Sequence, residues 1–174
     1  MRDAGRVTAR APWRRMAAWV ADCLCILGWV AISLAVGVPL YLAGVIRPSG
    51  VLVLNIVGAL VVVVPAVVGL AVLEHARGAT VGKRLFRLGV EANGRRPSLA
   101  RALSRNALKV GAPWLIGHAG VFAVVVDPTP TTSALLVVAY VLPIAYVISL
   151  FVGAGRTPYD RIAGVVVRAD LPPA

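Results

Sequence analysis

Residues Val51 to Leu73 read VLVLNIVGALVVVVPAVVGLAVL, a run without one charged side chain. At about 1.5 Å of rise per residue, a helix of this length matches a hydrocarbon core ~30 Å thick. A backbone placed in lipid has to satisfy its hydrogen bonds within itself, so such a run is read as a spanning helix. Three further runs are of the same kind, over residues 16–38, 110–126 and 133–152. With 59% apolar and 14% charged residues, too little of the chain is left over to build a water-soluble core. The sequence therefore predicts one domain over residues 1–174. Its class is an all-α integral membrane protein of four transmembrane helices, with spans at about 16–38, 51–73, 110–126 and 133–152. Gly37 and Pro39 are expected to end or kink the first helix, and Pro65 to kink the second.

The basic residues test the number of crossings. The segment before the first span carries Arg2, Arg6, Arg10, Arg14 and Arg15, the segment 74–109 carries nine Lys or Arg, and the tail carries Arg156, Arg161 and Arg168, whereas the two short turns share only Arg47. The positive-inside rule puts both tails and segment 74–109 on the cytoplasmic side, which four spans permit and three do not. The apolar stretch from Met16 to Ile46 greatly exceeds the roughly 7–15 residues of a signal-peptide core, so it is read as a retained anchor. The net charge of +11 would suggest nucleic acid in a soluble chain. Here the cations cluster beside apolar runs, and they are read as topology signals and contacts to anionic lipid headgroups, not as a nucleic-acid surface.

Segment 74–109 has structure of its own. RLFRLGVEANGRRPS predicts a short strand from Leu85 to Ala92 closing on an Asn93-Gly94 turn, and Ser98 is placed to cap a helix. On that helix Arg101, Arg105 and Lys109 recur every four residues. This makes an amphipathic cytoplasmic helix whose cationic stripe lies at the membrane interface, or simply a solvated face. In the motif at 156–168, Thr157 caps, Pro158 opens and Asp160 follows in a second short helix. The strand Gly164 to Arg168 is then expected to pair with Gly89 to Ala92 in a small two-stranded β element.

Chemistry-bearing patterns are sparse. Cys23 and Cys25 point to different sides of one helix and lack the spacing of a redox or zinc pair, and His75 and His118 stand apart. GATVGKR lacks the first-glycine spacing and the hydroxyl after Lys that a phosphate loop needs. No catalytic residue, metal site or cofactor is therefore assigned. Asn55 and His118 are polar groups within spans and suit interhelical hydrogen bonds, His118 otherwise serving as a proton relay to Asp22. Trp13, Trp19, Trp29, Trp114, Tyr41 and Tyr159 are read as interfacial anchors, and Glu74 and His75 as solvated boundary residues.

Asp22 is the exception that needs explaining, a carboxylate well inside the first run. At a helix centre an aspartate costs about 2.5–3.5 kcal/mol, less near the interface, so it needs a partner. Arg15 lies on the same face two turns away, about 10 Å along the axis, too far for a simple i,i+4 pair. Three elements in order, RRMAAWVAD, GATVGKRLFRLGVEANGRRPSLARALSRNALK and RTPYDRIAGVVV, resemble the RDD family of small bacterial membrane proteins, named for one arginine and two aspartates. Arg15 and Asp22 match the arginine and first aspartate by spacing, and Asp160 matches the second. Thr80, Gly82, Lys83 and Arg84 match the central block, where Val81 stands in place of the more usual proline. Three spans are commonly assigned to the family, whereas the charge count argues for four.

The resemblance implies an RDD-type domain whose signature residues Arg15, Asp22 and Asp160 meet at the cytoplasmic end. Asp22 is expected to be satisfied by Arg15 or by a basic residue such as Lys83 or Arg84, with Arg161 in support. In function this predicts a non-enzymatic protein of the bacterial plasma membrane. It would be an accessory or scaffold subunit of a larger lipid- or solute-transport complex, partnered by other subunits or a second copy. The alternative is a small ion-coupled transporter of the sodium/proton exchange kind, in which Asp22 would be the ion site.

Overall fold

The computed structural model describes residues 11–47, 50–152 and 155–169. Arg2, Arg6 and Arg10, counted above for topology, and parts of both the 47–50 turn and the tail lie outside them. Helix α1 spans Pro12–Leu42, opening with Pro12 where a missing N–H is harmless. It runs on unbroken through Gly37 and Pro39, so the expected end near residue 38 moves to Leu42. One proline removes one backbone bond, and continuing the helix keeps the other backbone groups paired.

The second apolar run forms α2 (Val51–Gly58), a π-helical turn over Ala59–Val63, and α3 (Val64–Arg77). Pro65 leaves the carbonyl one turn earlier without its usual donor, and the indole Nε1–H of Trp29 donates to that carbonyl, Val61 O, at 2.8 Å. Trp29 thus ties α1 to the second run and is no simple interfacial anchor. Gly78, with φ +70°, closes α3 in a left-handed cap.

Thr80 then caps a single turn, α4 (Val81–Leu85), its hydroxyl accepting from Lys83 N. This helix occupies the start of the segment predicted as strand, so β1 is shorter, Leu88–Glu91. Asn93 and Gly94, both at positive φ, make the expected tight turn, bridged by Ala92 and Arg95. Ser98 caps α5 (Leu99–Asn106), which passes through a second π turn, Ala107–Gly111, into α6 (Ala112–Val126). The amphipathic segment is therefore the first turns of one continuous helix, Leu99–Val126, and not a separate element along an interface. Pro113 leaves a carbonyl unpaired here as well, and the Tyr146 hydroxyl donates to Leu108 O at 3.1 Å.

After a turn capped by Thr129 and Thr132, α7 (Pro130–Phe151) returns antiparallel to α6. The two approach closely at Gly120, where a Cβ would meet Leu136 at 3.1–3.2 Å. The tail forms α8 (Pro158–Ile162), capped by Thr157, and β2, Val166–Ala169, which pairs antiparallel with β1 in the register Leu88↔Ala169 to Glu91↔Val166. The strand is displaced from the expected 164–168 because Gly164, at φ +64°, belongs to the turn before it. Val90, Ala92, Ala163 and Val165 make a small buried core under this pair.

Four helices, Pro12–Leu42, Leu52–Arg77, Leu99–Val126 and Pro130–Phe151, are long and apolar enough to cross a membrane. They alternate in direction. The start of α1, the end of α3, the start of α5, the end of α7 and the β pair therefore gather at one end of the bundle.

Candidate functional site

That end holds a buried charge cluster. Asp22, Glu74, Lys83, Arg105, Lys109 and Asp160 are all largely or wholly withdrawn from solvent. Arg105 is its centre: Nη1 donates to Glu74 Oε1 at 2.5 Å and Nε to Asp160 Oδ1 at 2.7 Å. One guanidinium thereby joins the end of the second apolar helix to the tail. Lys83 pairs with the same Glu74 oxygen, and Asn106 Nδ2 donates to the other at 3.0 Å. Arg15 Nη2 meets Asp160 Oδ2 at 2.6 Å while its Nη1 donates to Gly155 O. The second aspartate of the signature is therefore gripped from two sides, by α1 and by α5.

Asp22 is satisfied differently from the sequence expectation. Its Oδ2 accepts from the Thr80 hydroxyl at 2.7 Å and its Oδ1 from the Gly82 amide at 2.8 Å. No cation among the described residues is paired with it. Arg15 points away to Asp160, Lys83 to Glu74, and Arg84 is exposed. The cause is the tightness of the α1–α4 contact. A Cβ on Gly82 would stand 2.1 Å from Ala18 O, so only glycine lets the backbone come close enough for its own N–H to serve the carboxylate. Two well-aimed neutral donors meet the need that an ion pair was expected to meet.

Other expectations shift with this geometry. Arg105 and Lys109 face inward, and only Arg101 of the stripe is exposed, because the carboxylates of Glu74 and Asp160 lie on the packed side of α5. Glu74, expected to be solvated, has no exposed surface, and Tyr159, expected at an interface, is buried beneath Arg105, whose guanidinium carbon lies 5.3 Å from its ring centre. Arg161 is exposed and outside the cluster. His75 Nδ1 contacts Pro97 O at 2.9 Å. His118 Nδ1 lies 2.6 Å from Asn55 Oδ1, an interhelical bond between the second and third apolar helices, with Trp114 stacked on its ring. It is thus bonded to Asn55 and not to Asp22.

Burial by itself would raise the Asp160 carboxyl, but Arg105 and Arg15 outweigh it and hold it far below the usual carboxylate range. Burial lowers Lys83, joined by the like charge of Arg105 and opposed by Glu74. The Tyr159 phenol is pushed up by burial.

Above the cluster, between α1 on one side and α6 and α7 on the other, is a cavity of about 610 Å³. Trp19, Ile26, Val121 and Leu136 contribute to its apolar walls, while Arg15, Asp22, Lys83, Arg105 and Lys109 reach its charged end. Among the described residues no three His, Cys, Asp or Glu side chains group to hold a metal ion.

The order of these contacts along the chain, arginine and aspartate in α1, Thr-x-Gly-Lys-Arg in α4 and aspartate in α8, is the order of the signature, and the sequence profile of the RDD family matches residues 9–164. The chain belongs to the RDD family. In this member the signature arginine and second aspartate bond each other directly, and the first aspartate anchors the central block. Comparison with curated proteins and with solved structures gives no match.

Glu74, Asn106, Thr80 and Tyr159 complete the site without having been singled out for it. A signal for Glu74 existed. It is one of only seven acidic residues in the chain, and it directly follows an apolar run opposite the most basic segment. Thr80 and Gly82 stood in the family block, but nothing in their spacing said that they would face Asp22.

Proposed function

We propose that this RDD protein works without catalysis, as an accessory or scaffold subunit of a larger complex in the bacterial plasma membrane, with the clustered end and both termini cytoplasmic. The observation that carries the reading is that Asp22, Glu74 and Asp160 each find their donors within the chain. Such a closed cluster is a lock. It fixes α4, α5, α8 and the β pair against the bundle and so presents a rigid basic platform to lipid headgroups and to neighbouring subunits or a second copy. The distribution of Lys and Arg supports the orientation.

One observation favours ion-coupled exchange instead: Asp22 reaches the cavity. An exchange site has to release its donors in each cycle, whereas Thr80 and Gly82 hold this carboxylate in a tight helix contact. Purification of the tagged protein from its native membrane in mild detergent separates the two. The subunit reading expects stoichiometric recovery in a larger assembly, and no cation-driven proton flux from the purified chain in vesicles. A lone protomer whose reconstituted flux disappears in Asp22→Asn would replace it with the exchanger.

A further inference from the structure

The cluster does not balance. Arg15, Lys83, Arg105 and Lys109 bring four positive charges to meet the three carboxylates Asp22, Glu74 and Asp160, and the surplus falls on Lys109. Lys109 is more than nine-tenths buried, yet among the described residues no carboxylate or hydrogen-bond acceptor is paired with its ammonium. What it meets is the face of Trp19, 3.9 Å from Nζ to the ring centre. A buried ammonium with only a ring for company is a costly arrangement unless something anionic completes it. Lys109 stands at the charged end of the 610 Å³ cavity.

The rest of that cavity is apolar and elongated. From Val110 to Val121 along the helix Leu99–Val126 the wall rises about 16 Å, which is the depth of one leaflet of a ~30 Å hydrocarbon core. The helices that wall it are themselves apolar on their outer faces, so an acyl chain suits it better than water does. A site with one cationic contact at the end of a leaflet-deep apolar cleft fits one class of small molecule, an anionic amphiphile with its head at the helix-bundle end.

We propose that this cavity is a binding site for a membrane lipid with an anionic headgroup, the head paired with Lys109 beside Trp19 and one acyl chain lying between α1 and α6–α7. The site goes beyond the subunit reading and does not depend on it. Lys109 supplies the headgroup preference, since Arg15, Lys83 and Arg105 are already committed to carboxylates. The apolar walls take an acyl chain whatever headgroup it carries.

The full-length protein is placed in nanodiscs with equal amounts of phosphatidylglycerol and phosphatidylcholine of the same chains, and lipid retained after gentle release is read by native mass spectrometry. The native protein should keep the phosphatidylglycerol at least about tenfold more often, a preference equivalent to ~1.4 kcal/mol. Lys109→Gln should lose the preference while keeping some lipid of either kind, and without lipid it should melt no lower than the native protein, because an unpaired buried charge has been removed. Val121→Trp, which fills the open cleft without touching the cluster, should lose both lipids. Equal retention of the two lipids by the native protein would overturn the proposal. So would an undiminished preference in Lys109→Gln, unchanged retention in Val121→Trp, or stabilisation by inorganic phosphate as strong as by the lipid, which would make it a simple anion site.

Discussion

Arg105 is the residue on which the cluster turns, and replacing it separates charge from geometry. Its Nε and Nη1 serve two carboxylates on different elements, Asp160 at 2.7 Å and Glu74 at 2.5 Å. A lysine keeps the charge but has one compact ammonium in place of a planar fork, so it can serve only one of them well. Arg105→Lys should therefore forfeit about one charge-assisted hydrogen bond, ~1.5–3 kcal/mol. Arg105→Met takes one of its two cations from each carboxylate. Removing one partner of a buried ion pair costs about 3–5 kcal/mol, and the lower half of that range applies because Arg15 still holds Asp160 while Lys83 and Asn106 still hold Glu74. At about 2–4 °C per kcal/mol for a chain of this size, Arg105→Lys should lower the melting temperature by ~3–12 °C and Arg105→Met by at least as much. Fluorescence-detected thermal unfolding in one detergent, with all three proteins at equal concentration, measures the series. If Arg105→Lys melts with the native protein, the two-pronged geometry contributes nothing and the lock is not what holds this end together.

Three further outcomes follow from other contacts. Gly82→Ala would drive a Cβ into Ala18 O, separating α4 from α1 and stripping Asp22 of its amide donor, so membrane yield should collapse; near-native yield on an expression gel would count against the contact. The depressed Asp160 carboxyl stabilises the fold fully above its unfolded value and loses that contribution as pH falls toward its folded value. Melting temperature should thus be flat above about pH 5 and drop below about pH 4, and Asp160→Asn should lower the plateau and flatten the drop. The His118–Asn55 bond should be worth about 0.6–2 kcal/mol, and Asn55→Leu combined with His118→Leu should cost less than the two single losses added together in the same melting assay.

The four long apolar helices were legible because a long apolar run is a coarse pattern that a sequence states openly. The caps Ser98 and Thr157 and the Asn93-Gly94 turn were legible because their chemistry is local. What failed were predictions that depended on which neighbour arrives. Pro39 looked like an end, yet a proline costs only one bond when the helix has nowhere else to satisfy its backbone. Arg105 and Lys109 looked like an outward stripe, because four-residue spacing says that they share a face and not which way it looks. Cations are abundant near Asp22 in the sequence, and they point to an ion pair. The structure instead brings a glycine amide against Asp22, and a missing side chain leaves no charge or periodicity to be read in the sequence.

The signature charges act in two separate contacts, Arg15 with Asp160 and Asp22 with the Thr80–Gly82 block. Two double-mutant cycles on thermal stability test this, Arg15→Met with Asp160→Leu, and Arg15→Met with Asp22→Leu. The expected result is a coupling of roughly 0.5–3 kcal/mol in the first cycle and additivity within about 0.5 kcal/mol in the second. Additivity in the first cycle with strong coupling in the second would mean that Arg15 serves Asp22 after all, and would contradict the arrangement described.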